Sequence, residues 1–414
     1  MSGRGNIRRG EGGEEWWSKK DTGYLYKAFM VARRPLKDGN PKEGACMSGR
    51  GRFDFALAEE ADDGELRDLL RHISMPGNIT LSFLREPSFF LAEQAGSITS
   101  QVIVCKDRQK GQIVGMGSRS IRCVYIDGKP ARVGYLGMLR GVPEARGNIA
   151  LARGYRYLQT LHADGIVPYY FTTILDDNTD AQVLLTSGRA GLPVYKPLAR
   201  LITYLIPLTK NRRGVESSNS VSRVDQDQLP DVVAFLQEWN SRYQFASVYT
   251  LQDILGQSNL LPHFSWENFY VYREHGKVMG TLGVWDQQSF KQTVVTAYSR
   301  KMQFIRPFYN LLAYMQGNPR LPRAGAKINI LYAALLSGNK PVFTELLNQV
   351  CRDWSGKGYD YLSVGLCEGN ERVSSASRYA ARQLSSTLYI VYWQDTGVLL
   401  PEMNLPVHLE IATL

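Results

Sequence analysis

The order of local patterns repeats once along this 414-residue chain, and that repeat limits the folds open to it. Residues 53–58 alternate like a strand, and 62–71 places Leu66, Leu69 and Leu70 at helical spacing. Strand patterns follow at 101–106, 112–126 and 131–142, the last two joined by the hairpin turn Asp127-Gly128-Lys129-Pro130. A helix over 148–162, a buried apolar strand over 168–175, a short helix over 178–186 and a strand over 194–208 complete a mixed unit. The polar stretch 210–222 has no apolar period and reads as a linker. Beyond it the pattern restarts. A short strand (223–224) and an amphipathic helix (230–240, with Val233, Phe235 and Leu236 near one face) come first, then strands at 268–273, 278–286 and 327–335. A helix over 341–354 and strands at 361–366 and 388–393 follow. The sequence thus predicts an α/β (α+β) duplication: a leader over 1–52, a domain over 53–208, a linker over 209–222 and a divergent second domain over 223–414.

Charge and cysteine content narrow the class of protein. The net charge is +10, yet residues 1–52 hold 12 Lys and Arg against 6 Asp and Glu, while residues 53–414 hold 37 against 33. The excess sits in a Gly- and Arg-rich leader in which Ser-Gly-Arg-Gly follows Met twice, at 2–5 and 48–51. Such a leader is expected to be a solvated arm, and truncating 1–46 is expected to leave the folded core intact. No nucleic-acid-reading motif accompanies it, so a nucleic-acid partner is not expected. No apolar run is long enough to span a bilayer, and the start lacks an apolar signal region. Five Cys without a Cys-x-x-Cys pair point to a reducing, cytoplasmic home. The five His stand apart from one another and from Cys, so no metal site is expected. P-loop, HExxH and GxSxG motifs are absent.

One constellation remains. Gly137-Met138-Leu139-Arg140-Gly141-Val142-Pro143-Glu144-Ala145-Arg146-Gly147 is a strand that runs through a turn directly onto the helix 148–162. The open N–H groups and positive end of a helix suit an anion such as a pyrophosphate, and Arg146 can add charge-assisted bonds to it. After the next strand come Asp176, Asp177 and Asn178, with Asp177 or Asn178 placed to cap a helix carrying Ala181, Leu184 and Leu185 on its apolar face.

Together these segments resemble the GNAT superfamily of acyl-CoA N-acyltransferases, and the chain from Phe53 to Leu414 is similar to bacterial proteins with two such domains in tandem. Leu139, Pro143, Arg146 and Gly147 match the family's strand-turn motif, and Asn178, Ala181 and Leu184 match its following helix. The matches depart where the family has glycines: Ile149 and Leu151 stand there, Gly141 replaces a usual Val, and Leu185 occupies the position of the family's frequent general-acid Tyr. In the second half, Leu335–Pro341 sits at the corresponding junction without an Arg-Gly turn.

The resemblance implies two GNAT-like domains, each a central mixed, mostly antiparallel sheet flanked by helices, with a ligand cleft between them. It implies transfer of an acetyl or longer acyl group from acyl-CoA to the amine of a small molecule or peptide. The CoA site would comprise Leu139, Arg140, Gly141 and Val142 for the pantetheine, with Arg146, Gly147, Asn148, Ile149, Ala150 and Leu151 for the pyrophosphate and Asn178 nearby. Asp176, Asp177 and Tyr135 are the candidate catalytic groups. An idle scaffold that binds acyl-CoA or a partner is the alternative. The aromatic set Phe235, Trp239, Tyr243, Phe245 and Tyr249 would serve as core or line the acceptor pocket. Oligomeric state is not legible.

Overall fold

The computed structural model describes residues 51–74, 78–145, 148–189, 191–209, 218–394, 397 and 400–414. The leader through residue 50 and most of the expected linker lie outside them. In the first half, β1 (Phe53–Leu57), helix α1 (Asp63–His72), β2 (Ile79–Leu84) and helix α2 (Phe89–Ala92) precede β3 (Thr99–Asp107), β4 (Gln112–Ile126) and β5 (Lys129–Gly141). Helix α3 (Asn148–His162), β6 (Tyr170–Leu175), helix α4 (Thr179–Leu185) and β7 (Val194–Pro207) complete it. The β4–β5 hairpin closes on Asp127 and Gly128, both at positive φ (49° and 76°), as the Asp-Gly pair requires.

The second half repeats this plan. It holds β8 (Val221–Arg223), helices α5 (Leu229–Asn240) and α6 (Leu251–Ile254), β9 (Phe269–Glu274) and β10 (Lys277–Asp286). An excursion then leaves the plan: β11 (Gln292–Tyr298), helix α7 (Arg300–Gln316) and β12 (Lys327–Ile328) stand between β10 and β13 (Ile330–Ala334), where the first half has only a tight turn. Helix α8 (Lys340–Trp354), β14 (Tyr361–Cys367), helix α9 (Val373–Tyr379) and β15 (Arg382–Tyr392) follow.

The halves are present, but their sheets are not separate. Twelve strands form one sheet in the order β1-β3-β4-β5-β6-β15-β7-β14-β13-β10-β9-β8, antiparallel except for β5–β6 and β13–β14. Each half gives its last strand to the other. β15 of the second half pairs along β6 of the first (Leu388 opposite Thr173), and β7 of the first pairs along β14 of the second (Tyr204 opposite Val364). The two donated strands then pair with each other from Arg382 opposite Leu205 to Tyr392 opposite Val194. The boundary where a cleft was expected is therefore filled by shared strands. The physical reason is that β6 and β14 are buried along their whole length, so each needs a strand on its far edge. A second, three-stranded sheet (β12-β11-β2) joins the halves again, because β2 pairs with β11 of the excursion.

Burial follows the exchange. Helix α3 places Ala150, Tyr155 and Leu158 in a core with Tyr170 and Ile174 of β6 and with Tyr389 and Val391 of the donated β15. Helix α8 packs Val342, Phe343, Leu346 and Val350 in a core with Leu331 of β13, Leu362 of β14 and Tyr204 of the donated β7. No helix among the described residues is long and apolar enough to cross a membrane.

Candidate functional site: the splayed strands of the first half

The first site is built where β5 and β6 part. They are paired only at Gly134–Tyr170 and Tyr135–Phe171. Beyond that vertex Thr172 Oγ1 donates to Leu136 O at 2.7 Å, and the strands diverge. The vertex is tight: a Cβ on Gly134 would lie 2.0 Å from Cδ1 of Tyr170. Tyr170 cannot swing away, since its hydroxyl holds Arg119 Nε at 2.9 Å and His162 Nδ1 at 3.1 Å. Arg119 is itself held by both carboxylate oxygens of Asp164, at 2.7 and 2.8 Å.

On the β5 side of the opening the ladder to β4 breaks. Met116 faces Arg140 and Ser118 faces Gly137, so Met138 and Leu139 form a bulge, with Met138 at φ 53°. A bulge turns main-chain groups out of the ladder and re-aims side chains. Met138 is buried, while Leu139 is 45% exposed. The chain then passes through a short 3-10 turn (Pro143–Ala145) to the first turn of α3. Arg146, Gly147 and the side chain of Asn148 lie outside the described residues. Ile149 is 80% exposed and Ala150 is buried, so the side chain that replaces a glycine points to solvent.

The candidate catalytic groups separate on inspection. Tyr135 is fully buried with the Arg122 guanidinium 4.2 Å from its ring centre and Phe171 at 5.1 Å. That is a core position. Asp176 accepts from Arg200 Nε at 2.8 Å and from Thr387 Oγ1 at 2.9 Å. It ties the end of β6 to β7 and β15, a structural use of both oxygens. Asp177 is half-buried one residue further on, just before α4. Asn178 takes the N-cap position of α4, but its side chain makes no capping bond. Of the aromatic set, Phe245 and Tyr249 are core residues. Trp239 lies between Phe235 and Tyr243, with ring centres 6.1 Å apart in each pair.

The second half carries the same geometry, already filled. β13 and β14 pair from Ile330–Tyr361 to Tyr332–Ser363 and then part, and Leu335 takes φ 54° where Met138 takes 53° in the first half. Here Glu410 Oε2 accepts the Leu335 N–H at 2.7 Å, and Leu336 N–H bonds the same carboxylate. Burial raises Glu410 to about 7 against the pull of these N–H groups and of Arg372. The turn beyond is closed as well. A Cβ on Gly338 (φ 96°) would meet Val342 Cγ1 at 2.8 Å and Gly280 Cα at 3.1 Å, and Asn339 Oδ1 caps α8 at Val342 N, 3.2 Å away. Sequence reasoning missed Glu410, because its partners stand 75 residues away and only folding brings them together. Its neighbour His408 is pushed down to about 3 by burial and by Arg372. No cluster of three or more metal-ligating side chains occurs among the described residues.

No protein-family model matches this sequence, and no curated protein matches it. Among solved structures, N-myristoyltransferase of Saccharomyces cerevisiae with bound myristoyl-CoA aligns over 89% of this chain and 92% of its own, at a TM-score of 0.56 and 10% identity. The same enzyme with bound myristoyl-CoA and inhibitors aligns over 93% and 95%, at a TM-score of 0.53 and 10% identity. A GCN5-related N-acetyltransferase from Sphaerobacter thermophilus aligns over 70% of this chain, with a TM-score of 0.43 and 12% identity. The chain has the fold of N-myristoyltransferase; the mixed α/β character and the two halves expected from the sequence are present, but one sheet runs through both where a sheet for each was expected.

Proposed function

We propose that this protein is an acyl-CoA-dependent N-acyltransferase whose acyl-CoA site is the β5–β6 opening of the first half. The observation that carries the reading is the contrast between the two openings. The first has a bulge at Met138–Leu139 leading to a helix N-terminus, and the second has its bulge N–H groups bonded to Glu410. The whole-chain likeness to a transferase solved with myristoyl-CoA supports acyl-CoA as the co-substrate.

In this reading Leu139, Arg140, Gly141 and Val142 run beside the pantetheine. Arg146, Gly147, Asn148, Ile149, Ala150 and Leu151 hold the pyrophosphate at the start of α3, and Asn178 lies near it. Main-chain N–H groups of the bulge stabilise the oxygen charge that develops as the amine attacks the thioester carbonyl. The C–N bond forms, the C–S bond breaks, the CoA thiolate leaves, and the proton lost by the amine passes to a base. Of the three candidates, Asp177, half-buried just beyond the end of β6, is the one we assign to that role. The acyl group is long rather than acetyl, which the neighbours' bound myristoyl-CoA supports, and the acceptor is the amine of a small molecule or peptide.

Calorimetric titration with acetyl-CoA and with a long-chain acyl-CoA, followed by an assay for free CoA thiol in the presence of amines, tests this. Tight binding of the long chain and amine-dependent thiol release are expected. Binding without release for any amine would make the protein an idle scaffold. No binding of either ligand would overturn the reading.

A further inference from the structure

Helix α7 is apolar on the side that faces water. Its inner face is anchored by Met302 and Ala313, and its ends are closed by the Ser299 cap and by Gly317 at φ 66°, so it is a finished helix. Yet Phe304, Phe308, Leu311 and Met315, spaced 4, 3 and 4 apart, form one stripe on the outer face, with Leu312 and Tyr314 beside it. Phe304 is 87% exposed and Phe308 73%. Contiguous exposed apolar surface of this kind marks an interaction site.

The charge around it points to the occupant. From 287 to 344 the chain has no Asp or Glu at all. Arg300, Lys301, Arg306, Arg320, Arg323 and Lys327 lie in or just after α7, and none of them forms an ion pair among the described residues. Arg320 folds back over the ring of Tyr314 at 4.5 Å, which sets a cation at the edge of the stripe. A helix with Phe, Leu, Tyr and Met outward, set in a stretch of sequence rich in cations and free of acids, has the chemistry of an interfacial helix. The excursion that carries it has no counterpart in the first half.

We infer that α7 is a peripheral membrane-docking helix, which lies in the surface of an anionic phospholipid bilayer with Phe304, Phe308, Leu311 and Met315 among the acyl chains. This goes beyond the transferase reading and does not rest on it. The test is co-sedimentation of the full chain with vesicles of phosphatidylcholine alone or containing phosphatidylserine, at low and at high salt. Binding to the phosphatidylserine vesicles is expected, weaker by about tenfold or more without that lipid or at high salt. Phe304→Glu with Phe308→Glu abolishes it at an unchanged melting temperature, and Arg320→Glu with Arg323→Glu removes the preference for anionic lipid. The inference fails if the wild type ignores the vesicles or if the double Phe variant still binds. It fails equally if that variant dissociates a dimer on sizing, since the stripe then belongs to a second copy. A melting point lowered by several degrees would show that the chain itself covers the stripe.

Discussion

Leu335 donates its backbone N–H to Glu410 at 2.7 Å, inside the opening between β13 and β14. The carboxylate thus does in the second half what a ligand's acceptor oxygen would do in the first. Its ordinary value is 4.5 and burial raises it to about 7, so the folded state favours the protonated form. The stability it contributes is full below 4.5 and is lost as pH rises through about 7. Glu410→Gln is neutral at every pH and lacks this loss. The melting temperature of the variant relative to wild type should therefore climb between those pH values, by an amount equivalent to roughly 3 kcal/mol. His408 titrates alike in both proteins and cancels in the difference. A constant offset across the range would show that Glu410 is not buried as described.

The same contrast sets the next expectation. Arg146→Ala should weaken acyl-CoA binding by about 1.5–3 kcal/mol, the scale of a hydrogen bond to a charged group. Lys340→Ala should leave it unchanged, because the turn before α8 is packed against Gly280 and capped by Asn339. Calorimetry on the two variants decides it. Loss of binding in the Lys340 variant alone would place the ligand in the other half.

If Asp177 takes the amine proton, Asp177→Asn should lower kcat by about 10²–10⁴ with KM for acyl-CoA little changed. The neighbouring Asp176→Asn should act differently. It cuts the ties to Arg200 and Thr387, so its effect should appear as a lower melting temperature. Steady-state kinetics beside thermal unfolding separates the two.

Much of the fold was legible because its signals are local. Alternation and the Asp-Gly turn predict a strand over 112–126, and the structure gives β4 those same bounds; the helix expected over 148–162 is α3. The elements that were not read depend on distant partners. β2 and β11 pair with Leu84 opposite Gln292, and neither carries a turn signal that joins them. Helix α7 hid because apolar residues on both of its faces blur the helical period, with Pro307 inside. The strand exchange is a matter of register between segments far apart in sequence, on which local pattern is silent. The site was legible only in part for the same reason. Asp176 reads as a strand-end carboxylate until Thr387, 211 residues away, is placed on it.

The vertex of the first opening is sensitive to a single methyl group. Gly134→Ala puts a Cβ 2.0 Å from Tyr170 Cδ1, and the ring is pinned by Arg119 and His162 at its hydroxyl. Overpacking of this kind typically costs about 1–3 kcal/mol. Denaturant unfolding should show the loss, and Ser82→Ala, a buried change far from the vertex, serves as the comparison.

The exchange of β7 and β15 makes the halves depend on each other for folding. In residues 53–208 alone, β6 would lose the strand that pairs it from Tyr170 to Leu175, and its six buried side chains would stand at an open edge. The α3 core would lose Tyr389, Val391 and Trp393. The first half would also carry β7 with no β14 to accept Leu201 through Pro207. Exposed apolar edges of this length pair with other chains, so the isolated fragment should aggregate. Residues 223–414 alone lack β7 and should fail in the same way. Co-expressed, the fragments can restore both exchanges, and they should purify as one soluble complex that melts in a single transition. The intact chain should likewise unfold once, without a plateau. A soluble, cooperatively melting 53–208 fragment would mean that β6 finds a partner within its own half, and the shared sheet would then not be what holds the halves together.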